Sequence, residues 1–460
     1  MKLPKLTTNV LPPPPPFRKL VGPSFIILGL GLGSGELILW PYLTSNFGMG
    51  IIWGAVIGIT FQFFMNMEIE RYTLINGESI FVGFARKYKW LPAWFLISTF
   101  FPWVWPGIIS ASAASFGHVF GIFDTHYLAI ALLVLIGTIL TLGPVLYKTQ
   151  ETLQKWFIYL GAPFILGLAI ILAKPTDWSA LAQGIIGRGA GYWFLPVGIP
   201  LASFLAALAY SGAGGNLNLA QSYYIREKGY GMGKFMGKIT SVLTGKKEPV
   251  RITGTTFEPT PENIATFNRW WRLINWEHAL VFLITGMITI LFIALLAYAT
   301  TFGLEGTNQG INFVILEAQV IGSRLAPIIG TAFLCVVGLM LFATHLSVLD
   351  ATSRILAENS LLLFNHHPDK IRSLFYVYLW LQIFSGIGIF LFGIKEPLAL
   401  LTISAVLNAV AMFVHLTLTL WLNTTSLPVA LRPHFLRRIM MVFGIMLFGG
   451  FSLFTLFQSL

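Results

Sequence analysis

The sequence contains little charge and almost no cysteine. Of its 460 residues only 10% are Asp, Glu, Lys or Arg, whereas 56% are hydrophobic, and the mean hydropathy is +0.76. A soluble domain carries about 25% charged residues, so this composition excludes a soluble domain and indicates a protein that crosses a bilayer many times. The single cysteine, Cys335, excludes a disulfide framework and a thiolate metal cluster.

The sequence also lacks the motifs of common pumps and hydrolases. It has no phosphate-binding loop of the form G-x-x-x-x-G-K-[ST], which argues against ATP-driven pumping, and it has no H-E-x-x-H zinc motif. We therefore expect no enzyme and no cofactor. An intramembrane enzyme would need paired catalytic carboxylates or a buried His, Asp and Ser set, and a channel remains a third class.

Eleven apolar segments approach the roughly 20 residues that a membrane helix needs. We expect spans at residues 22–45, 48–70, 92–116, 127–147, 156–173, 194–225, 277–301, 326–350, 374–394, 397–421 and 438–459. With the N-terminus inside, only four of the 29 Lys and Arg residues lie in outer loops: Lys174, Arg188, Arg324 and Lys395. This distribution predicts a cytoplasmic N-terminus and an extracytoplasmic C-terminus. It also explains the net charge of +11, so we expect no nucleic-acid partner.

The spans divide the chain into a few units. Residues 1–21 show no cleavable signal and should form a cytoplasmic segment whose prolines, Pro12 to Pro16, make an extended tether without a packed core. The units that follow are a first repeat at 22–173, an outer loop at 174–193, a second repeat at 194–421 with a solvated basic loop at 228–272, and the eleventh span within 422–460.

The first span contains an unusual concentration of glycine. In GLGLGSGELILWPY (29–42), glycines alternate with other residues from Gly29 to Gly35, and Glu36 follows. Each glycine weakens a helix by about 1 kcal/mol relative to alanine, and a charge near the bilayer midplane costs roughly 3 kcal/mol. Such features occur where the chain lines a cavity or a binding site. The alternative is a glycine-rich packing face with a protonated or paired Glu36.

The sixth span repeats this pattern. LASFLAALAYSGAGGNLNLAQSYYI (201–225) carries Gly212, Gly214 and Gly215 in its middle, beside Tyr210 and Asn216. An odd number of spans per repeat inverts the second half relative to the first. Two broken helices in inverted repeats are typical of secondary transporters with a midplane site and alternating access. Coincidental small-residue packing faces are the alternative.

Some of these residues resemble a known family. GPSFIILGLGLGSGELILWPYLTSNFGMGIIW (22–53), Gln62 in the second span and the turn INGES (75–79) resemble the start of the Nramp divalent-metal transporters, whose first helix opens Gly-Pro-x-Phe and unwinds at Asp-Pro-Gly-Asn. NLNLAQS (216–222) is similar to the run after their Met-Pro-His break. The resemblance implies the leucine-transporter fold of the amino-acid/polyamine/organocation superfamily: an all-α membrane protein with a 5+5 inverted repeat, broken helices 1 and 6, and an eleventh helix.

The chain departs from the Nramp pattern at the binding residues. Gly33 to Glu36 stand in place of Asp-Pro-Gly-Asn, and Ala213 to Gly215 in place of Met-Pro-His. A thioether selects soft transition metals, so its loss argues against them. The acids of the family's third span fall on Ala111 and Ala114, and its usual proton-handling groups are absent. The resemblance therefore indicates a divergent branch, and transport without proton coupling is open.

The remaining polar groups fit a hard cation or an organic cargo about equally well, and the resemblance tips the choice towards the cation. The carboxylate of Glu36, freed carbonyls and the amides of Asn216 and Asn218 form an oxygen-only set, which suits a partly hydrated Mg²⁺, Ca²⁺ or Mn²⁺-like ion. Glu36 and Asn216 would be the metal ligands. The residues expected to contact the cargo are Gly33, Ser34, Gly35, Glu36, Tyr210, Ala213, Gly214, Gly215, Asn216 and Asn408.

An organic cargo is the main alternative. The GSGE sequence in the first span also resembles amino-acid and polyamine transporters of the same fold, in which exposed amides hold a substrate carboxylate. An ammonium could lie against aromatic rings with Glu36 as its counter-charge, with coupling to protons or sodium. The candidate aromatic residues are Trp40, Tyr42, Trp103, Trp105 and Tyr210.

The eighth span supplies candidates for a coupling or second cation site. Thr344, His345, Ser347 and Asp350 lie within FATHLSVLDATSRILAEN (342–359). In the fold implied by the resemblance, hydroxyls of this helix can face a sodium ion. The alternatives are a buried structural histidine and an ion pair from Asp350 to the basic residue four positions later. We expect a monomer in a prokaryotic plasma (inner) membrane, with lipid and a small cargo as its partners.

Overall fold

A computed structural model describes residues 3–20, 22–31, 33–122, 124–142, 155, 157–236 and 251–459. The described chain is predominantly helical, as the sequence predicts. Its four strands have two residues each. β1 (Thr7–Thr8) pairs in parallel with β4 (Thr255–Thr256), and β2 (Arg188–Gly189) pairs antiparallel with β3 (Tyr192–Trp193).

The α-helices are numbered in chain order. Those before residue 200 are α1 (Pro23–Gly31), α2 (Trp40–Phe47), α3 (Trp53–Asn76), α4 (Ile80–Lys87), α5 (Leu91–Trp103), α6 (Gly107–Phe120), α7 (His126–Leu142), α8 (Ala162–Leu172) and α9 (Pro175–Ile185). Those after it are α10 (Leu201–Ala209), α11 (Gln221–Lys228), α12 (Pro261–His278), α13 (Thr285–Thr301), α14 (Asn312–Arg324), α15 (Pro327–Phe364), α16 (Ile371–Leu391), α17 (Pro397–Ser426) and α18 (Phe435–Ser459).

Shorter helical turns join several of these helices. Wider, π-helical turns cover Gly35–Leu39, Phe157–Gly161 and Ala279–Ile284. Tighter 3₁₀ turns cover Phe17–Lys19, Met49–Ile51, Gly215–Ala220, Gly231–Phe235, Pro368–Lys370 and Val429–Leu431. The π-helical turn at Ala279–Ile284 joins α12 to α13, so that a continuous helical stretch runs from Pro261 to Thr301.

In the described part of the chain, eight helical stretches are long and apolar enough to cross a bilayer. They are Pro23–Phe47, Met49–Asn76, Leu91–Phe120, Pro261–Thr301, Pro327–Phe364, Pro368–Leu391, Pro397–Ser426 and Phe435–Thr455. A ninth candidate is a pair, Tyr159–Leu172 and Pro175–Ile185, bent by 116°. These helices confirm a polytopic membrane protein.

The expected count of eleven spans stays a prediction. Of the fourth expected span, residues 143–147 lie outside the described residues, and α7 supplies only the part before them. Residue 156, where the fifth span was expected to begin, is also outside them. The sixth is divided into α10 and α11, each too short to cross a bilayer alone.

The longest helix, α15, lies in the middle of the bundle. Pro327 occupies its first turn, where the missing N–H is tolerated. It ends at Asn365, whose left-handed conformation (φ +55°) suits a helix end. It packs against α5, α6, α14 and α16 and reaches α1. Because α15 also contacts the 3₁₀ turn Gly215–Ala220, it lies beside both glycine-rich segments.

The N-terminal segment does not form the expected unpacked tether. Its strand β1 pairs with β4, and the side chains of Leu11 and Leu20 are buried. The indole of Trp270 donates a 2.7 Å hydrogen bond to the carbonyl of Pro12, and Arg86 donates one to the carbonyl of Pro4 at 2.6 Å. The extended proline backbone has free carbonyls, and these donors hold it across one end of the bundle.

The basic loop expected at 228–272 is also more ordered than predicted. Residues 237–250 lie outside the described residues, but α12 begins at Pro261. Thr260 caps this helix by accepting a hydrogen bond from the amide of Asn263. Trp270 is buried, whereas Trp276 is 60% exposed, as expected for an interfacial residue. Some of the basic residues of this stretch therefore lie on a helix, α12, that packs one of its faces against the protein.

Candidate functional site

The two glycine-rich segments lie directly against each other. A Cβ placed on Gly31 would lie 3.0 Å from the backbone of Gly212, and one placed on Gly35 would overlap the carbonyl oxygen of Tyr210. A Cβ on Gly33 would overlap the side chain of Thr344 in α15. Glycine is required at Gly35 because the backbone of Tyr210 leaves no room for a side chain, and a side chain at Gly33 would displace Thr344. The segments therefore combine close packing with the expected breaks.

The first break is a change of helical winding. α1 ends at Gly31, and five residues, Gly35–Leu39, form a π-helical turn before α2. The carbonyl of Gly31 accepts from the amide of Gly33 at 2.6 Å, and the carbonyl of Gly33 accepts from the amide of Leu37 at 2.8 Å. These two carbonyls are not freed as the sequence suggested. Single π-helical turns are frequent at functional sites because they rotate the following side chains out of register.

Glu36 lies in this turn and is fully buried. The hydroxyl of Thr289 in α13 donates to Glu36 Oε2 at 2.8 Å. Glu36 Oε1 has no hydrogen-bond partner among the described residues. A Cβ on Gly286 would lie 3.8 Å from that oxygen, so the oxygen faces a helix position without a side chain. Glu36 therefore points towards α13, and one of its two oxygens is available to a ligand.

The second break is a true interruption. α10 ends at Ala209, and the chain takes a non-helical course until the 3₁₀ turn that starts at Gly215. Gly214 and Gly215 have φ values of +73° and +52°, which glycine adopts without strain. Gln62 of α3 serves both sides of the gap. Its Nε2 donates to the carbonyl of Ala209 at 3.0 Å, and its Oε1 accepts from the amide of Gly214 at 3.2 Å.

Asn216 anchors the far side of this break. Its amide nitrogen donates to the hydroxyls of Ser98 and Thr99 in α5, at 2.8 and 2.9 Å. Its Oδ1 lies 3.2 Å from Nδ1 of His415 in α17. The other ring nitrogen of His415 lies 3.0 Å from the sulfur of Met65. The polar atoms of Asn216 are therefore occupied, and its hydrogen bonds lead to α5 and α17.

Tyr210 closes the near side of the break. Its hydroxyl lies 2.7 Å from Ser404 Oγ and accepts from Asn408 Nδ2 at 2.9 Å. Its ring stacks on Trp103 with centroids 5.4 Å apart. Asn408 Oδ1 has no partner among the described residues, and a Cβ on Gly215 would overlap it. A second buried, unpartnered oxygen therefore lies beside the break.

The structure brings some of the predicted cargo residues together and separates others. Gly35 meets Tyr210, and Gly215 meets Asn408. Ser34, Ala213 and Gly214 are buried in the same two segments. Glu36 and Asn216, the predicted metal ligands, have different hydrogen-bond partners in the described chain: Glu36 bonds to α13, and Asn216 bonds to α5 and lies beside His415 of α17. In the described residues no three His, Cys, Asp or Glu side chains are placed to hold one metal ion.

The predicted coupling residues on α15 differ from one another in their surroundings. Thr344 donates to the carbonyl of Gly29 at 3.2 Å, close to the first break. Neither ring nitrogen of His345 has a partner in the described chain, although the residue is buried. Ser347 is buried as well. Asp350 accepts from Nε of Arg354 at 2.8 Å, which is the i, i+4 ion pair anticipated as the alternative.

Sequence reasoning missed several polar residues around the breaks. Gln62 was noted only for its place in the resemblance, and His415, Ser98 and Thr99 were not considered. Each is a polar residue within an apolar run, and this is the only signal available from one sequence. Thr289 gave no such signal, because threonine is common in membrane helices, where its hydroxyl can bond to its own backbone.

Comparison with known proteins supports the fold. No protein-family model and no curated protein sequence matches the chain. Among solved structures, a histidine-to-alanine mutant of the manganese transporter of Eremococcus coleocola superimposes with a TM-score of 0.69 at 13% identity, covering 98% of this chain and 90% of that one. The same transporter bound to an aromatic bis-isothiourea compound gives 0.66 at 15% identity, with 99% and 90% covered.

A more distant match extends the comparison. MhsT in complex with L-phenylalanine superimposes with a TM-score of 0.50 at 14% identity, covering 95% of this chain and 98% of that one. MhsT has the leucine-transporter fold, so an all-helical membrane protein of this general fold is confirmed, while the 5+5 inverted repeat and the eleventh helix stay predictions. At these identities the matches establish the fold and leave the cargo open.

Proposed function

We propose that the chain is a secondary transporter that moves a small cation by alternating access, with Glu36 as its central charged ligand. The main support for this proposal is the environment of Glu36. This residue is a fully buried carboxylate in a π-helical turn, with one oxygen on Thr289 and the other without a partner among the described residues. Intramembrane carboxylates of this kind mark ion pathways.

The neighbouring atoms favour a hard ion that keeps part of its water. Three of the unpartnered atoms near the breaks are oxygens, Glu36 Oε1, Asn218 Oδ1 and Asn408 Oδ1, whereas the unpartnered Nε1 of Trp103 can only donate. Oxygen ligands suit Mg²⁺, Ca²⁺ and Mn²⁺. A single carboxylate supplies little charge for a dry divalent ion, so retained water is part of the proposal. The manganese transporter that shares this fold is in keeping with a divalent cargo.

The contact between the two breaks would allow the half-helices to move during alternating access. The half-helices α1 and α11 contact each other, and so do the half-helices α2 and α10. Glycines allow the segments to touch without interlocking side chains, so that either pair of half-helices could move against the rest. Uptake with and without pH and sodium gradients shows whether a proton or sodium gradient drives transport.

Uptake into proteoliposomes tests this proposal. Mg²⁺, Ca²⁺ and Mn²⁺ would be offered with and without pH and sodium gradients. We expect saturable divalent uptake that falls by more than about tenfold in Glu36→Gln, since the amide keeps the shape but removes the charge. The matched control is Glu317→Gln, a buried carboxylate on α14 outside the site. Equal uptake by wild type and Glu36→Gln would place the site elsewhere.

An organic cargo is the second candidate, and the stacked rings of Trp103 and Tyr210 beside the break favour it. Such a surface can hold an ammonium group, with Glu36 as its counter-charge. The same liposomes would be offered amino acids and quaternary amines. Accumulation of one of these without any divalent flux would replace the cation proposal with this one.

A further inference from the structure

A second group of buried polar side chains lies outside the candidate site. It consists of Ser24 in α1, Glu70 in α3, Gln221 in α11, and Glu277 and His278 at the end of α12. We call these five residues the Glu70–Glu277 cluster. All five are at most 2% exposed. The cluster lies at the start of α1, on the side of the molecule that carries the N-terminal segment, which the distribution of Lys and Arg assigns to the cytoplasm.

The five side chains form one continuous chain of contacts. Ser24 Oγ donates to Glu277 Oε2 and lies 2.8 Å from His278 Nδ1. His278 Nδ1 lies 3.5 Å from Glu70 Oε1, and Gln221 Nε2 donates to that oxygen at 2.6 Å. The imidazole stacks with Phe63 and Phe282, at centroid distances of 5.6 and 4.8 Å. Four separate helices are thereby joined through polar atoms.

The number of available protons sets the state of the histidine. A serine hydroxyl has one proton, and that of Ser24 is used on Glu277. While Ser24 donates to Glu277, Nδ1 of His278 carries the proton in its contact with Ser24 Oγ, and Glu70 Oε1 lies 3.5 Å from that nitrogen. Nε2 of His278 has no partner in the described chain. In this arrangement the imidazole is neutral and adds no positive charge.

The two carboxylates lack the basic partners that three other buried acids of this chain have. Glu68 pairs with Arg71, Glu358 with Arg226, and Asp350 with Arg354. Among the described residues, neither Glu70 nor Glu277 forms an ion pair with Lys or Arg. The charged groups that act on them from a distance are Lys228 at the end of α11 and Arg437 of α18, which also contacts Glu68.

Unpartnered atoms remain on four members of the cluster. They are Glu70 Oε2, Glu277 Oε1, His278 Nε2 and Gln221 Oε1, all buried. Glu277 also lies close to the backbone of Gly22 and Ser24 at the start of α1, where a helix favours negative charge. Two ionised carboxylates in one dry cluster repel each other, and such pairs share a proton. Among the described residues, the acids and the histidine do not surround a common metal position.

We propose that the Glu70–Glu277 cluster is a proton-binding site that holds α1 against α3, α11 and α12. With one proton shared by the carboxylates, the cluster carries a single negative charge at the start of α1. When the proton leaves to water, two negative charges remain in the buried space, and α1 is released. Its role in transport rests on the proposed function, because α1 leads directly to the break that precedes Glu36.

Hydrogen exchange of the full-length protein in lipid nanodiscs tests the proposal without any cargo. After correction for the intrinsic pH effect, exchange of the α1 amides should rise by roughly tenfold between about pH 6 and about pH 9, because loss of the shared proton leaves two charges in the cluster. Glu70→Gln should keep α1 protected throughout, because a single charge then remains at all pH values. Glu317→Gln, the control, should behave like wild type.

Three results would overturn the proposal: pH-independent exchange of α1 in wild type, an unchanged pH response in Glu70→Gln, and a response to sodium in place of pH. If Glu70→Gln does not fold, Glu277→Gln serves instead, and it should likewise keep α1 protected over the same pH range because only one carboxylate remains in the cluster. Infrared difference spectra should show a protonated carboxyl band that disappears with rising pH in wild type. Since neither measurement uses transport, failure of divalent uptake leaves this result standing.

Discussion

Replacing Gly35 with alanine tests whether the two breaks touch through their backbones. The new Cβ would overlap the carbonyl oxygen of Tyr210 and lie 2.8 Å from the Cβ of that residue. The obstructing atoms are backbone, so one helix must shift. Overpacking of this kind costs about 1–3 kcal/mol. A suitable control is Gly167→Ala in α8, where a Cβ meets no atom within 4 Å.

Both variants gain helix propensity from the exchange of glycine for alanine, but only Gly35→Ala introduces a steric overlap. Alanine gains roughly 0.5–1 kcal/mol over glycine in a helix, so Gly167→Ala should stabilise the protein slightly. Gly35→Ala combines a gain of that size with the overlap, and it should be less stable than Gly167→Ala by about 1–3 kcal/mol. Because the residue exchange is identical, the difference between the variants measures the overlap.

Thermal unfolding of both variants in the same detergent, followed by tryptophan fluorescence, provides the comparison. We expect the midpoint of Gly35→Ala to lie below that of wild type or close to it, and that of Gly167→Ala to lie above it. Divalent uptake by Gly35→Ala should also fall, since the shift displaces Glu36, the next residue. Equal midpoints for the two variants would show that the breaks are not in contact, and the reasoning about the site would fail.

Three further substitutions test single interactions. Thr289→Val removes the hydroxyl that donates to Glu36 and should lower stability by about 1 kcal/mol and reduce uptake, whereas Thr289→Ser should retain both. Arg354→Gln leaves two buried carboxylates unpaired and should cost about 3–5 kcal/mol in thermal unfolding. Trp270→Phe removes the donor to the proline carbonyl, so limited proteolysis of the N-terminal segment should become faster while uptake continues.

Much of the fold follows from local patterns in the sequence. Apolar length predicted membrane helices, and eight of them are present in the described chain. Glycine clusters predicted the interruptions near Gly33 and Gly214, because a chain without Cβ atoms weakens a helix whatever surrounds it. The spacing of Asp350 and Arg354 predicted the ion pair that the structure contains. These features depend on residues within a few positions of one another.

Other predictions were wrong or incomplete because they required distant partners. The proline segment was expected to be unpacked, but it is held by Trp270, which follows Pro12 by 258 positions. The role of Asn216 as a metal ligand stays a prediction, and its hydrogen bonds to Ser98 and Thr99 could not be foreseen from local sequence. A solvated loop was expected up to residue 272, but the helix α12 begins at Pro261 and buries one of its faces. The composition of a segment does not reveal which distant part of the chain will pack against it.

The sequence by itself determined two properties of this protein. The scarcity of charge placed it in a bilayer, and the positions of the glycines interrupted two of its helices. Only the tertiary structure decided what each buried polar group meets. It placed Glu36 against Thr289, which is 253 positions away, and Glu70 beside His278. Desolvation makes every buried charge depend on its partners, and those partners are brought together by packing that no local pattern encodes.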